Sequence, residues 1–237
     1  MRLLDLSLPT PEENLALDEA LLESAERDSN ETLRFWESPL TFVALGYTNR
    51  AATETNVEAC RARGIPILRR VTGGGTVVQG SGCLNYALVG RIEEGCHLDV
   101  NATNARVMDT VRDALNPLLG GEVARQGHTD LTWRGLKFSG NAQKRKTRAF
   151  LFHGTVLLDF DLELVAQALR APLKEPDYRA GRSHLEFVTN VGLSREAVKA
   201  ALAGAFGADE VSNEWPREAV AALIEEKYGR ADWNEKF

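Results

Sequence analysis

Three consecutive glycines, at positions 73 to 75, follow a pair of arginines and precede a Thr-Val-Val segment. Because glycine loses much conformational freedom on folding, a folded chain keeps such a run where its backbone must approach something closely. Successive backbone N–H groups can surround an anion, and the forked guanidinium groups of Arg69 and Arg70 match phosphate or carboxylate oxygens. The Gly-Lys-Ser/Thr ending of a P-loop and the G-x-G-x-x-G spacing of a dinucleotide site do not occur here. The segment predicts an anion-binding loop, and the alternative is a flexible hairpin with incidental surface arginines.

A single lysine, Lys137, stands just before a run of small residues that includes Ser139, Gly140 and Ala142. Side chains alternate between the two faces of a β-strand, so Lys137 should point away from the face of Phe138. Small neighbours leave room for a ligand beside the ammonium group, whose charge could neutralise a phosphate while a carboxylate attacks it. The alternative is a solvated lysine on a polar strand face, which is the commoner situation for a lysine taken alone.

His153 lies near the start of a strongly apolar segment, residues 150–158. Such a histidine is either a hydrogen-bonded structural residue or a functional one, and the sequence leaves both interpretations open. Two adjacent carboxylates, Asp18 and Glu19, follow an apolar helical pattern and are interpreted as helix-surface groups rather than as an acid/base pair.

The three cysteines, Cys60, Cys83 and Cys96, show no metal-ligand spacing, and each is expected to be a small buried hydrophobic residue. Cys83 follows the glycine run closely enough to approach the arginines, which would lower its thiol pKa and make it a nucleophile. An odd number of cysteines without regular spacing argues against a disulfide framework and for a reducing compartment. We therefore expect a cytoplasmic protein in which no cysteine is chemically required.

The composition is that of an ordinary globular protein, with 43% hydrophobic and 26% charged residues among 237. No apolar stretch approaches the roughly 20 residues of a membrane span, and the N-terminus lacks the apolar core of a signal peptide. The formal net charge of −6 argues against nucleic-acid binding, because phosphate-binding domains are usually basic. The basic cluster at 144–148 is too short to change that expectation. Neither a membrane nor a nucleic acid is therefore expected as a partner.

Helix and strand patterns alternate along the whole chain. Thr10 and Glu13 form a capping-box pattern ahead of an apolar helix that reaches about residue 25. Thr55 and Glu58 form a second such pattern, for a helix that should stop near Gly64. Strands are predicted at 32–36, 41–45, 65–70, 76–78 and 84–89 and within 130–161, and further helices at 101–119, 162–170, 194–204 and 216–228. Successive strands joined by tight turns predict an α+β fold, a mixed or antiparallel sheet flanked by helices, in one domain over residues 1–237.

In chain order, these segments resemble the lipoate–protein ligase family, within the wider group of biotin and lipoate ligase catalytic domains. The resemblance extends over roughly residues 10 to 190, and its motifs are specific as an ordered set rather than singly. They are Asn14–Ala20, Phe35–Glu37, Leu45–Asn49, Arg69–Val78, Asp130–Leu131, Lys137–Gln143, His153–Leu158 and, weakly, Val188–Asn190.

The resemblance implies an enzyme that activates lipoate or octanoate with ATP and Mg²⁺ to an acyl-adenylate. The acyl group then passes to a lysine of a lipoyl carrier protein. Lys137 would be the catalytic residue between the acyl carbonyl and the α-phosphate, Asp130 would lie near the ligand or its Mg²⁺, and His153 and Gly154 would line the lipoyl pocket. The full set of expected ATP- and lipoyl-adenylate-binding residues is Arg69, Arg70, Gly73, Gly74, Gly75, Thr76, Val77, Val78, Asp130, Lys137, Ser139, Gly140, His153 and Gly154.

The chain departs from the family pattern at two places that concern acyl specificity. Gln79-Gly80 stands where family ligases often have His-Asp, and His128-Thr129 stands where they often have Arg-Asn. No C-terminal accessory domain is expected, and short relatives can need a separate partner protein, so the resemblance leaves independent activity open. The closest alternative is an octanoyl or lipoyl transferase that works through an acyl-cysteine; a non-catalytic adenylate-binding module is a further one. A biotin ligase is disfavoured because the Gly-Arg-Gly-Arg type of loop is missing.

Overall fold

The computed structural model describes residues 1–28, 30–92, 99–172 and 174–237. Its strands are β1 (Arg2–Asp5), β2 (Thr32–Trp36), β3 (Phe42–Leu45), β4 (Ile67–Arg69), β5 (Val77–Gln79), β6 (Cys83–Arg91), β7 (Val123–Gln126), β8 (Asp130–Trp133), β9 (Leu136–Arg145), β10 (Ala149–Leu157) and β11 (Glu210–Val211). Its α-helices are α1 (Pro11–Asp28), α2 (Ala51–Glu54), α3 (Val57–Ala62), α4 (Val100–Leu115), α5 (Glu163–Ala168), α6 (His184–Phe187), α7 (Arg195–Phe206), α8 (Arg217–Leu223) and α9 (Ala231–Asn234). A 3₁₀ turn at Asp177–Arg179 and a π-helical turn at Ile224–Tyr228 complete the regular structure of the described residues.

Two sheets organise these elements. The main sheet has the strand order β11-β1-β2-β6-β10-β9-β8-β7, and a smaller sheet has the order β4-β3-β5. β1 pairs in parallel with β2 and β11, while the remaining pairs of the main sheet are antiparallel. The prediction of an α+β fold with a mixed sheet and flanking helices is therefore confirmed.

Helices cover both faces of the main sheet. On one face, α4 and α7 pack over a cluster that contains Tyr86, Val107, Phe138 and Phe152. On the other face, α1, α8 and the small sheet pack over a cluster that contains Leu17, Phe42, Ala87 and Leu151. Because both faces are covered, every residue of β2 is buried, including Arg34, and every residue of β6 except its last, Arg91, is buried too.

The N-terminus of α1 has the predicted capping box. The Glu13 carboxylate accepts a hydrogen bond from the Thr10 N–H at 2.8 Å, and the Thr10 hydroxyl accepts one from the Glu13 N–H at 3.2 Å. Two of the N–H groups that a helix start leaves unpaired are thereby satisfied.

The second capping-box prediction is wrong. The Thr55 hydroxyl donates back to the Ala51 carbonyl, and Asn56 instead caps α3 by accepting from the Ala59 N–H. Thr55 ends the short helix α2, where its backbone N–H bonds to the Ala51 carbonyl. The N-terminal cap of α3 therefore falls on the next residue, Asn56.

No helix in the described ranges is long and apolar enough to cross a membrane.

Candidate active site

A cleft of about 1150 Å³ lies between the small sheet and the main sheet. The expected ligand-binding residues line it, with the exception of Arg69 and Gly73. Large clefts with a few convergent polar groups are the usual form of a small-molecule site. The structure therefore brings together the glycine run, Lys137 with Asp130, and His153, although they are far apart in sequence.

One row of paired residues crosses the cleft floor. Trp36 pairs with Asn85, Asn85 with Thr155, Thr155 with Gly140, and Gly140 with Asp130. Directly paired residues present their side chains to the same face of a sheet, and all five line the cleft. We call these residues the cleft row. Its Trp36 end lies beside apolar residues, and its Asp130 end lies beside the candidate catalytic lysine.

Lys137 and Asp130 form an ion pair at the polar end of the cleft row. The Lys137 Nζ lies 2.7 Å from Asp130 Oδ1, with side-chain exposures of 24% and 15%. The other oxygen, Asp130 Oδ2, accepts a hydrogen bond from the Tyr178 hydroxyl at 2.7 Å. Burial is the largest effect that raises the pKa of Tyr178, and the charge of Asp130 raises it further, so the hydroxyl remains a donor. Sequence reasoning missed Tyr178, because nothing local marks it.

A β-bulge places Lys137 on the cleft face. The register between β8 and β9 shifts between Leu131 and Thr132, so that Phe138 and Ser139 can both be buried. Strict alternation would have turned Lys137 and Gly140 to opposite faces. The absence of a side chain at Gly140 makes room for the lysine itself, because a Cβ there would lie 3.1 Å from Lys137 Nζ; the expected room for a ligand beside it stays a prediction.

Arg70 holds the glycine run in shape. Its Nη2 donates to the carbonyls of Gly73 and Gly75 at 2.6 and 2.7 Å, and its Nε donates to the Thr72 hydroxyl at 2.9 Å. Gly74 adopts the left-handed region, with φ of 86°, where a side chain would be strained. The neighbouring turn also needs glycine, because a Cβ on Gly46 would overlap the Gly74 carbonyl oxygen.

The Arg70 guanidinium is a buried cation, and no carboxylate of the described residues forms an ion pair with it. It is only 7% exposed, and its partners are carbonyl and hydroxyl oxygens. Burial lowers its pKa to about 10, which still leaves the group charged at neutral pH. A buried charge is costly unless it is paired, so an anionic ligand in this part of the cleft would be stabilised.

Arg69 has a structural role, and the expectation that it contacts the ligand is wrong. The side chain is fully buried and does not line the cleft. Its guanidinium donates to five backbone carbonyls, which belong to Gly46, Tyr47, Asn49, Trp233 and Asn234. Arg69 thus ties the turn beside the glycine run to helix α9, and its side chain lies outside the cleft lining.

His153 belongs to a buried chain of hydrogen bonds. Its Nδ1 lies 3.1 Å from Asp18 Oδ2, and its Nε2 lies 2.7 Å from the Thr72 hydroxyl. Because the carboxylate can only accept, Nδ1 carries a proton, and the Thr72 hydroxyl joins Nε2 to Arg70, from whose Nε it accepts. His153 thus has a structural role through Thr72 and Arg70 and also lines the cleft, so its predicted part in binding the ligand stays a prediction.

The interpretation of Asp18 and Glu19 as surface groups is wrong. Asp18 is 1% exposed and binds Arg34, whose Nη1 donates to Asp18 Oδ1 at 2.6 Å. Burial alone would raise the pKa of Asp18, but Arg34 and His153 outweigh it and lower this pKa. Glu19 accepts from Lys227 and from the Tyr228 hydroxyl, at 2.7 Å each. Helix α1 buries a polar stripe against the sheet and the C-terminal segment, which an apolar-face pattern does not reveal.

Glycine is required at position 154 because a neighbouring side chain, on the face of the sheet opposite the cleft row, occupies the space of a Cβ. A Cβ there would overlap the Asn141 amide, which accepts from the Tyr86 hydroxyl at 2.5 Å and donates to the Thr129 carbonyl at 2.9 Å. Asn141 joins β9 to the turn before β8, so Gly154 supports the segment that carries Asp130.

The described thiols are buried away from the cleft. Cys83 is fully buried in an apolar cluster, and burial raises its pKa, the opposite of the effect that a nearby arginine would have. Burial also raises the pKa of Cys60. Neither residue lines the cleft, while Cys96 lies outside the described residues.

The described residues hold no cluster of three or more metal-ligating side chains. Asp130 is the carboxylate nearest to the lysine, so a cation here would need oxygen ligands from a bound substrate as well.

The sequence from residue 10 to residue 207 matches the family of the lipoyl protein ligase A/B catalytic domain. The chain belongs to this family. Its members include proteins with two different named activities, and both kinds are similar to this chain.

Curated relatives show this division. A protein named as a candidate lipoate-protein ligase A, from Aeropyrum pernix, is 34% identical over 64% of this chain, and the match spans only 55% of that relative. Octanoyltransferase LipM from Moorella thermoacetica is 27% identical, with 98% of this chain and 96% of the relative covered. Lipoate-protein ligase A subunit 1 from Thermoplasma acidophilum is also 27% identical, with 93% and 90% covered.

Solved structures agree with the fold over its whole length. A lipoate-protein ligase A bound with ATP is 25% identical, with a TM-score of 0.83 and coverage of 99% of this chain and 98% of that one. A bi-partite lipoate protein ligase from Thermoplasma acidophilum, described with its E2 lipoyl domain, is 26% identical, with a TM-score of 0.82 and coverage of 99% and 95%. The family match and these similarities therefore place the protein among the enzymes of protein lipoylation.

Proposed function

We propose that this protein is an ATP-dependent lipoate–protein ligase. It activates lipoate or octanoate to acyl-AMP and transfers the acyl group to a lysine of a lipoyl carrier domain. The observation that carries the proposal is the charge of the cleft: Lys137 and the buried cation Arg70 face it, whereas the described thiols, those of Cys60 and Cys83, do not. The ATP-bound ligase of the same fold supports it.

The residues fit an adenylation. The acyl carboxylate attacks the α-phosphate, pyrophosphate leaves, and the carrier lysine then attacks the mixed anhydride with loss of AMP. Lys137 neutralises the phosphate oxygens as charge develops on them, and the backbone of the glycine run, shaped by Arg70, surrounds the nucleotide phosphates. Positioning and charge neutralisation account for most of such a reaction, and these groups supply both.

Asp130 suits a magnesium ion that is held jointly with a nucleotide. Mg²⁺ commonly takes one or two carboxylates together with substrate phosphates and water, so Asp130 would supply the protein's ligand and the nucleotide phosphates most of the others. The ion would screen the negative charges of the triphosphate. Asp130 would then bind the ion with part of its carboxylate and contact Lys137 less closely.

The acceptor is expected to be a lipoyl domain, and a separate accessory protein is expected to take part. Both proposals draw on the bi-partite ligase from Thermoplasma acidophilum, which is described with its E2 lipoyl domain and whose matched chain resembles this one in fold and length. The cytoplasm is the proposed location.

Mass spectrometry of the products tests the proposal. The protein is incubated with lipoate, octanoate or biotin, each with and without ATP and Mg²⁺. We expect acyl-AMP from lipoate or octanoate only when ATP is present, and nothing from biotin.

The same spectra identify the alternatives. An acyl thioester on the protein after incubation with an octanoylated carrier, without ATP, would establish an octanoyltransferase like LipM and overturn the ligase proposal. Tight ATP binding without either product would indicate a non-catalytic adenylate-binding module.

A further inference from the structure

Two buried polar atoms of the cleft residues lack a hydrogen-bond partner in the described part of the chain. They are the indole Nε1 of Trp36 and the amide Oε1 of Gln79. The two residues are only 3% and 6% exposed, and both line the cleft. Because an unpaired buried polar group is costly, such groups in a binding cleft indicate contacts that a ligand completes.

The direction of the free group on Gln79 follows from its neighbours. The Asn85 Nδ2 donates to the Cys83 carbonyl, which leaves Asn85 Oδ1 to accept from the Thr155 hydroxyl at 2.7 Å. The Thr155 oxygen must then accept, and it does so from Gln79 Nε2 at 2.6 Å. This series of hydrogen bonds starts at the Cys83 carbonyl, which cannot donate, so it ends with Gln79 Oε1 as a free acceptor.

Both free groups lie on the side of Lys137 toward which the acyl chain of the substrate would extend. Gln79 lies over Thr155 in the middle of the cleft row, and Trp36 is at its far end. Lys137 is beside Gly140, three strands from Trp36, or about 14 Å at ordinary strand spacing. Leu15, Phe42 and Ala44 supply apolar walls. An acid whose carboxylate meets Lys137 therefore extends its chain past Gln79 toward Trp36.

We propose that this cleft selects the reduced, dithiol form of lipoate over its cyclic disulfide, with Gln79 as the residue that determines the preference. The proposal rests on the ligase function proposed above. A thiol both donates and accepts, and the dithiol carries one thiol within the chain and one at its end. The inner thiol donates to Gln79 Oε1, and the outer sulfur accepts from the Trp36 N–H. The dithiolane ring offers no donor to Gln79, and octanoate offers no partner to either residue.

Calorimetry without ATP tests this preference directly. The ligands are octanoate, lipoate, dihydrolipoate under argon, and 6,8-dihydroxyoctanoate, a stable analogue with hydroxyls in place of thiols. The wild-type protein should bind dihydrolipoate roughly fivefold more tightly than lipoate, which corresponds to one net hydrogen bond, and the dihydroxy acid roughly 25-fold more tightly than octanoate, which corresponds to two. Gln79→Leu should remove the first preference and reduce the second to about fivefold, one net hydrogen bond, while its affinity for octanoate is kept or raised.

A matched control separates recognition from stability. Gln143 is a half-buried glutamine whose amide atoms also lack partners among the described residues, but it does not line the cleft, so Gln143→Leu should keep the wild-type order of affinities. If Gln79→Leu does not fold, Gln79→Met, whose side chain is closer in length to glutamine, should remove the preference for dihydrolipoate over lipoate in its place. Equal affinities in the wild type, an unchanged order in a folded Gln79→Leu variant, or tighter binding of biotin than of all four acids would overturn the inference. Failure to form acyl-AMP would overturn the ligase proposal alone, because the binding preference is measured without ATP.

Discussion

Lys137 is the side chain on which the proposed chemistry depends most. It lies at the polar end of the cleft row, paired with Asp130 and packed against Gly140, where a Cβ would lie 3.1 Å from its Nζ. We predict that Lys137→Ala abolishes acyl-AMP formation, with a loss of at least about 100-fold, because one electrostatic contact to a reacting group is worth several kcal/mol. Pyrophosphate release measures the rate, and circular dichroism verifies the fold.

Lys199 offers a comparison, because it also pairs with a carboxylate, Asp5, but at the surface outside the cleft. Lys199→Ala should retain the wild-type rate. A Lys137→Ala protein that releases pyrophosphate as fast as the wild type would contradict the catalytic assignment.

Asp18 should make the protein sensitive to acid. Its pKa in the folded state is lowered from the ordinary value of 3.8, so its contribution to stability is complete above that value and is lost as the pH falls through the folded-state pKa. We predict that Asp18→Asn lowers the free energy of unfolding by about 3 kcal/mol at pH 7, because it leaves Arg34 buried without a counter-charge. Urea unfolding from pH 7 to pH 2 should show the two proteins converging at low pH. A constant difference across this range would exclude the ionised form of Asp18 as the cause.

At the scale of single residues, the sequence reveals those whose type and immediate neighbours already indicate a function. The glycine run and Lys137 stand out because their types and immediate neighbours already imply an anion site. Asp18, His153 and Thr72 could not be joined in the same way, since 135 residues separate the first two. Their roles depend on which strand lies beside which helix, and residue spacing does not contain that information.

Among the elements of the fold, the glycine run is the most sensitive to substitution. Gly74 has φ of 86°, and a Cβ there would lie 3.1 Å from the Arg70 Nη2 that holds the loop. We predict that Gly74→Val weakens ATP binding at least tenfold without unfolding the protein, because a β-branched residue resists this backbone conformation. Calorimetry with ATP measures the effect. Gly204→Val is the control, since Gly204 is in α7 with open space around its Cα. Unchanged nucleotide affinity in a folded Gly74→Val protein would disprove the role of the loop.

Two element-level features explain where prediction from sequence stopped. The bulge in β9 has no signal in Leu136–Asn141, because only the partner strand shows that one residue is extra. The contact of α9 with Arg69 joins residues 164 and 165 positions apart. An arginine next to a glycine run looks like a phosphate ligand until the helix that uses its donors is placed beside it.

At the scale of the molecule, the class of fold was accessible from the sequence, while the strand order was not. Apolar runs, tight turns and capping signals indicate a sheet with helices, because each reflects local backbone preference. The cleft arises from packing the small β4-β3-β5 sheet onto the main one, and this long-range event also buries Cys83. The placement of the cysteines bears directly on which activity the whole protein has.

Replacing all three cysteines should leave ATP-dependent ligation intact. Cys60 and Cys83 are buried, and burial raises both thiol pKa values, so neither is a ready thiolate at neutral pH. Cys96 follows two glutamates in sequence, which would disfavour its thiolate as well. Adenylation already activates the acyl group, so a thioester would add nothing to the pathway. We expect Cys→Ala at all three positions to cost stability, about 1 kcal/mol for each buried site, while the yield of lipoylated carrier per active molecule stays within twofold. Gel-shift and mass analysis of the carrier lysine measure that yield. If a single replacement, Cys83→Ser or Cys96→Ser, stops acyl transfer and the native protein carries an acyl group on that residue, the protein is a transferase instead.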